Sequence, residues 1–462
     1  MTIQLFDTFS RRKRVFVPLR PPAVGLYTCG PTVYHDQHLG NFRTFLFEDG
    51  LRRVLELAGH AVNHVMNVTD VGHLTSDADE GEDKLEKGSR RTGLSAIEVA
   101  ERYTRAFVED VARLNVLPPT TLCRATAHLP EQIAYVAELE AKGFTYRTGD
   151  GVYFDTAKQP DYGQLARLDR EGLRSGERVS MGEKRRATDF ALWKTSPEVG
   201  VRQMEWASPW GIGFPGWHLE CSAMARRYLG DLFDIHCGGE DHVPVHHTNE
   251  IAQSEAATGT RMARYWLHGR FLTFGGGKIS KSDAALPGDE LLGMSALIEA
   301  GFDPLAFRHL CLGGHYRARL SFTWDALGAA AAGLSRLRRA IRDVPESASG
   351  EPSAGLASRF TARLHDDLDF PGALALAHEV VRANVPAGDR RATLLFCDRA
   401  LGLSLGAPRE TTAPADVESL AAEREMARRQ GDFAAADRLR RAIAERGYRV
   451  EDTPAGPRLE PG

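Results

Sequence analysis

Closely spaced cysteine pairs are missing from this chain. Its six cysteines, Cys29, Cys123, Cys221, Cys237, Cys311 and Cys397, are scattered, with no CxxC among them. In a chain this long such sparse thiols predict a reduced, intracellular protein, not a disulfide framework. No apolar run approaches the length of a membrane span. The start of the chain, with Arg11-Arg12-Lys13-Arg14 after a polar opening, lacks the apolar core of a signal peptide. There is no excess of positive charge either: 58 Lys and Arg face 62 Asp and Glu, a net charge of −4. A general basic coat for nucleic acid is thereby excluded, and any polyanion must meet local patches. These absences predict a soluble, cytoplasmic protein without a membrane partner. At 462 residues the chain is long enough for two or three domains.

What is present centres on Val24–Thr44. Val24–Tyr27 is short and apolar and predicts a buried strand. Gly30-Pro31 breaks it, and after His38-Leu39-Gly40-Asn41 a helical spacing of Phe42, Leu46, Leu51 and Val54 predicts a helix from Asn41 to about Ala58. A helix opening on glycine offers unpaired N–H groups and a positive dipole end to a phosphate. A plain α/β framework carries the same pattern. His60–Val68 predicts a second strand, and the strand–helix–strand unit argues for a doubly wound parallel sheet with ligands at the carboxyl ends of its strands. The stretch from Asp77 to Arg91 is densely charged and predicts a solvated loop or exposed helix, unless Lys84 and Lys87 cover a ligand as a flap. A strand at Gly151–Asp155 and the segment Asp189–Lys194 belong to an insertion of roughly Arg124–Pro209, after which Phe233–His236 returns to the main sheet.

Chemistry-bearing residues are densest after that return. His246 and Glu250 stand four apart and project from one helical face. Cys29 and Cys221 each fall at a strand–helix junction. Together the four make a Cys₂HisGlu set of the kind tetrahedral zinc accepts; a surface pair with two core cysteines is the other reading. Gly238-Gly239-Glu240-Asp241 allows close backbone approach and places a carboxylate where a ribose could donate to it, or forms a simple turn. Gly275-Gly276-Gly277 ahead of Lys278 and Lys281 makes a cationic loop able to neutralise a leaving pyrophosphate, or a solvated basic turn.

His38–Asn41 resembles the HIGH element of the class I aminoacyl-tRNA synthetases, and Lys278-Ile279-Ser280-Lys281-Ser282 resembles their KMSKS loop. Within that class the chain resembles the cysteinyl-tRNA synthetases. The resemblance runs through Thr28–Tyr34, Asn67–Val71, Arg124–His128, DFALWK at Asp189–Lys194, Pro215–Met224, His246–Ala256 and Val450–Gly456. It implies a Rossmann-like catalytic domain over 1–320 with the inserted subdomain at about 124–209. A helical bundle over 321–405 and a small anticodon-binding-like domain over 406–462 would follow. It implies activation of L-cysteine by ATP, with Mg²⁺ on the phosphates, and transfer to the 3′ end of tRNA(Cys). One zinc ion per chain would be held by Cys29, Cys221, His246 and Glu250 and would select the thiol, so that no editing domain is needed. His38, Asn41, Lys278 and Lys281 would serve the phosphates, and Gly40, Gly238 and Asp241 the nucleotide. Thr69 and Trp217 would line the amino-acid pocket, and the enzyme is expected to be a monomer. Asn41 stands where the motif has its second histidine, Ile279 where it has methionine, and Asp283 follows the loop.

The C-terminal third is strongly helical. Val417–Arg446 predicts a hairpin turned at Gly431-Asp432, with Leu439 and Ile443 on its apolar face. Arg424, Arg428, Arg429, Arg438, Arg440, Arg441 and Arg446 give it basic character for phosphates, or a solvated face balanced by glutamates. Two other readings remain open: a cysteine-activating ligase with a small amine acceptor, and an inactive paralogue that keeps tRNA or metal binding.

Overall fold

The computed structural model describes residues 2–72, 83–168, 183–274, 277–278, 292–345, 347–407, 415–453 and 456–461. Its centre is a sheet of five parallel strands: Ala23–Thr28 (β1), Ala61–Val68 (β2), Thr121–Arg124 (β3), Phe233–Gly239 (β4) and Ala263–Gly269 (β5). Their order is β3-β2-β1-β4-β5. Helices cover both faces of such a sheet, which makes its inner strands apolar or buried throughout; β4 is buried along its whole length. The order reverses between β1 and β4, so a crevice opens beyond their carboxyl ends. Five helices matter for that crevice: Leu39–Leu57 (α1), Lys84–Thr92 (α2), Trp217–Leu229 (α3), His246–Thr258 (α4) and Pro304–Leu312 (α5).

Between β3 and β4 the chain builds a separate antiparallel sheet from Thr145–Thr148, Gly151–Phe154, Phe190–Thr195 and Gly213–Pro215. Its last strand runs straight into α3. At Gly216 a Cβ would lie 2.0 Å from the Ala191 carbonyl oxygen, so only glycine lets the chain turn there. This close approach places Trp217 at the mouth of the crevice.

The helices from α5 to Ala387–Leu401 continue the core of the sheet. Val24, Leu26 and Leu51 share one cluster of buried side chains with Leu337, Phe360 and Leu394. Met1–Leu405 is one compact unit and Gly406–Gly462 a second. The second unit holds helices Ala415–Arg429 and Phe433–Glu445 and a hairpin of Tyr448–Thr453 with Gly456–Pro461, around Val417, Ala421, Ile443 and Val450. Gly447, at φ 78°, closes the second helix in the left-handed conformation. Four of the seven arginines expected to give this hairpin basic character face carboxylates: Arg424 and Arg428 pair with Asp452, Arg429 with Glu425 and Arg446 with Asp416. No helix among the described residues is long and apolar enough to cross a membrane.

One buried ion-pair network joins the bundle to the sheet. Arg308 of α5 is fully buried and bonds the Asp49 carboxylate of α1, the Leu401 carbonyl at 2.6 Å and the Leu114 carbonyl at 3.1 Å. Arg53 also pairs with Asp49, at 2.7 Å. Burial alone would raise the Asp49 pKa, but Arg308 and Arg53 outweigh it and hold it below the ordinary value. The stabilisation is therefore present at neutral pH and is lost as pH falls through the depressed folded-state value. Replacing Asp49 by Asn leaves two guanidinium groups without their shared counter-charge, and should cost about 3 kcal/mol or more in urea denaturation. A loss under about 1 kcal/mol would mean the network is not a stabilising tie.

Candidate active site

The crevice holds a cavity of about 260 Å³. Cys29, His38, Asn41, Thr69, Lys84, Trp217, Cys221, Asp241 and His246 are among its lining residues. The loop after β1 forms one wall, because the strand ends at Thr28, just ahead of Cys29 and Gly30-Pro31. A Cβ on Gly30 would fall 1.7 Å from the Asn67 carbonyl oxygen, so the loop can lie against the end of β2 only with glycine there. The Gly30 N–H donates to Asn67 Oδ1 at 2.9 Å, Asn67 Nδ2 donates to Thr69 Oγ1 at 3.1 Å, and Thr69 Oγ1 donates to Glu220 Oε2 at 2.9 Å. This directional chain ties the loop carrying Cys29 to the helix carrying Cys221.

At the inner end, the donor atoms of Cys29, Cys221, His246 and Glu250 lie within 4.8 Å of one another, all on buried residues. A second set, Cys29, His236, His247 and Glu250, meets the same limit. The cavity distinguishes them. Cys29, Cys221 and His246 line it, whereas His236 and His247 are fully buried and stand outside that lining. Three residues of the first set stand on the cavity wall, so an ion held there would face the cleft.

The surroundings fit a metal ion at the first set. Glu250 Oε2 accepts from His236 Nε2 at 2.7 Å. Glu250 Oε1 is buried without a hydrogen-bond partner, although His246 Nε2 stands 2.9 Å away. Once His246 gives up its proton, these two atoms offer converging lone pairs that a cation completes. His246 Nδ1 contacts His218 Nδ1 at 2.9 Å, and His247 Nε2 contacts Cys29 Sγ at 3.3 Å. Such outer contacts orient the ligands, and a Cys₂HisGlu set suits zinc.

The electrostatics show what a metal must displace. A hydrogen bond from Cys29 pulls the Cys221 thiol down to about 7, while burial pushes Cys29 up. Burial alone would lower His246, but the Glu250 carboxylate and Cys221 outweigh it and raise it to about 10. Burial would raise Glu250, yet His236 and His246 hold it far below the ordinary carboxylate range. The metal-free cluster thus keeps protons on Cys29 and His246 beside an ionised Glu250 and a Cys221 thiol that is about half ionised at neutral pH.

At the outer end, His38 caps α1. Its Nδ1 accepts from the Asn41 N–H at 3.3 Å, and Asn41 Oδ1 accepts from the His38 N–H at 3.3 Å, closing a capping box. Burial and then His35 lower His38 to about 4, so the ring is neutral. With Nδ1 accepting, its proton sits on Nε2, a donor beside the positive end of α1. Asn41 in the position of a motif histidine therefore completes the cap. Leu292 O accepts from Leu39 N at 2.9 Å and Gly293 bridges His38, so the chain following the glycine-lysine segment returns to this same helix end.

The cleft brings together His38, Asn41, Asp241, Thr69 and Trp217 with the metal-type donors. Gly238 and Gly40 do not line it; Gly239 does. A Cβ on Gly238 would run 2.4 Å from His242 Nδ1, and one on Gly40 would lie 2.9 Å from the His38 ring, so these glycines make room for histidines. The backbone of Lys278 pairs with Thr273, and Lys281 lies outside the described residues. Sequence reasoning missed Asn67, Glu220, His236 and His247. One signal was available: six of the sixteen histidines fall between His218 and His268.

Residues 15–332 match the family described as the class I (C) tRNA synthetase catalytic domain, and residues 411–456 match the cysteinyl-tRNA ligase anticodon binding domain. A cysteine–tRNA ligase 1 of Burkholderia lata is 56% identical over 462 residues, covering 99% of this chain and 97% of the relative. A cysteine–tRNA ligase of Treponema denticola is 38% identical and covers 98% of each chain. Among solved structures, a Mycobacterium tuberculosis methionyl-tRNA synthetase in complex with methionyl-adenylate superposes with a TM-score of 0.55 at 14% identity, over 90% of this chain and 96% of that one. That likeness is one of fold.

Adding Zn²⁺ to metal-free protein at pH 7 should release protons, read with a pH indicator, because Cys29 and His246 must give theirs up to coordinate. Zinc uptake with no proton release would contradict the assigned ligands.

Proposed function

Because the chain belongs to the cysteine–tRNA ligase family of the class I tRNA synthetases, we propose that its crevice selects cysteine through a zinc ion held by Cys29, Cys221, His246 and Glu250. The enzyme activates cysteine with ATP and charges tRNA with it. What supports the zinc reading is one observation: four donor atoms within 4.8 Å, three of them on residues lining the same cavity as His38 and Asp241. Zinc bound there supplies a soft Lewis acid that takes a thiolate far better than a hydroxyl.

The chain's own groups then act by position and charge. A carboxylate oxygen of cysteine attacks the α-phosphorus of ATP, the bond to the bridging oxygen breaks, and pyrophosphate leaves. Little covalent help is needed, so the gain lies in alignment and in stabilising charge on the phosphates. His38 Nε2–H and the N-terminus of α1 are assigned to those oxygens. Asp241 is assigned to accept from the ribose hydroxyls, which its position and that of Gly239 on the cavity wall support. Lys278 and Lys281 are assigned to the departing pyrophosphate, and Mg²⁺ travels with ATP as a phosphate-bound ion. A hydroxyl at the tRNA 3′ end next attacks the acyl carbon and AMP leaves. Thr69 and Trp217 border the amino acid. The pocket rejects serine by coordination chemistry; a methylene-scale fit would discriminate by only about 1–3 kcal/mol.

The match of residues 411–456 to an anticodon binding domain favours tRNA over a small amine as the acceptor. Cysteine-dependent ATP–pyrophosphate exchange followed by charging of purified cysteine tRNA tests the whole reading. Both activities are expected; exchange without charging would point to an amine acceptor, and silence in both to a binding protein. Cys221→Ser should lower zinc content and cysteine affinity together. Full zinc occupancy in that variant would remove Cys221 from the ligand set.

A further inference from the structure

We propose that His242 donates a hydrogen bond, through its Nε2–H, to the α-phosphoryl oxygens of ATP and of the cysteinyl-adenylate. This rests on the reading of the cleft as a site that activates cysteine.

His242 lines the cavity and ends the short 3₁₀ turn Glu240–His242 that follows β4. Its ring stands between the two halves of the crevice. Toward the amino-acid end, its centroid lies 5.1 Å from that of His246 and 6.4 Å from that of Trp217. Toward the nucleotide end stands Asp241, the residue before it, folded over Gly239. A Cβ on Gly239 would lie 2.3 Å from Asp241 Oδ1 and 3.8 Å from Thr44 Oγ1 of α1. Asp241 is assigned to the ribose, and Trp217 borders the amino acid. In an aminoacyl-adenylate, what joins those two parts is the acyl–phosphoryl linkage. His242 therefore stands where that linkage must pass.

The chemistry of the ring decides which group it serves. Nδ1 is buried without a hydrogen-bond partner among the described residues. It lies over Gly238, where a Cβ would come within 2.4 Å of it. Orphaned buried N–H groups are rarer than orphaned acceptors, which assigns the lone pair to Nδ1 and the proton to Nε2. A doubly protonated ring would carry Nε2–H as well, so the nitrogen left for the cavity is a donor in either state. A donor has nothing to offer the α-ammonium of the amino acid. It suits the charged oxygens on phosphorus, where a fixed N–H stabilises the transition state of adenylate formation. His38 caps α1 and His242 follows β4, so the phosphates meet histidines from two separate elements.

Asn and Gln separate the two ring nitrogens, because the amide nitrogen of Asn falls near the position of Nδ1 and that of Gln near Nε2. Cysteine-dependent ATP–pyrophosphate exchange by the zinc-loaded enzyme reads the effect, with zinc content measured alongside. His242→Leu and His242→Asn should lower kcat about tenfold or more, the size expected for a hydrogen bond to a charged group. The KM for cysteine and the zinc content should not change, and His242→Gln should recover most of the rate. Equal losses in the Gln and Asn variants, a raised KM for cysteine at unchanged kcat, zinc lost from the variants, or full activity in all three would overturn the assignment. If the unaltered enzyme shows no cysteine-dependent exchange, the reading of the cleft as a cysteine-activating site falls instead.

Discussion

A carboxylate with no exposed surface, Glu250, has to be neutralised where it stands, and the inner half of the crevice is organised around doing so. His236 takes one oxygen by a hydrogen bond, and His246 crowds the other. Both cysteines of the cluster then enter an already charged site, one losing its proton readily and the other keeping it. An arrangement that costs this much desolvation is hard to explain as core packing, since apolar side chains of the same volume would pack there at no such cost. It is simple to explain as the ligand set of a cation.

The topology brings those ligands together. β1 and β4 lie side by side at the point where strand order reverses, and the segments leaving them carry Cys29 and, through Gly239, the turn toward α4. α3 approaches from the antiparallel insertion, with Gly216 as its tight entry turn. Three separate pieces of chain bring their donor atoms within 4.8 Å of one another. The hydrogen-bond relay from Gly30 through Asn67 and Thr69 to Glu220 sets the distance between two of them.

Much of this was legible in the sequence, for physical reasons. The apolar run before Gly30-Pro31 and the helical spacing after His38 depend on local periodicity, and the structure has a strand at Ala23–Thr28 and a helix at Leu39–Leu57. The i, i+4 spacing of His246 and Glu250 needs only that α4 be helical. The stretch around Lys84 was not legible, because its position depends on Arg202 and Gln203, which no local pattern links to it. Charge density argued for a solvated loop or exposed helix, or a flap of Lys84 and Lys87; Lys84–Thr92 is a helix with Lys87, Arg90 and Arg91 exposed, and an ion pair between distant segments anchors its start. The helical hairpin near the C-terminus was legible, and of its two readings the ion pairs favour the balanced solvated face, with Asp452 on the following strand taking up Arg424 and Arg428. Gly238 and Gly40 were legible as glycines of close approach, but histidine rings fill the approach.

Zinc K-edge absorption spectroscopy of the loaded enzyme, with and without cysteine, tests the central claim most directly. The account predicts two sulfur ligands at about 2.3 Å with nitrogen or oxygen at about 2.0–2.1 Å, and one added sulfur when cysteine, but not serine, is present. A coordination sphere that lacks the two protein sulfurs, or that is unchanged by cysteine, would contradict it.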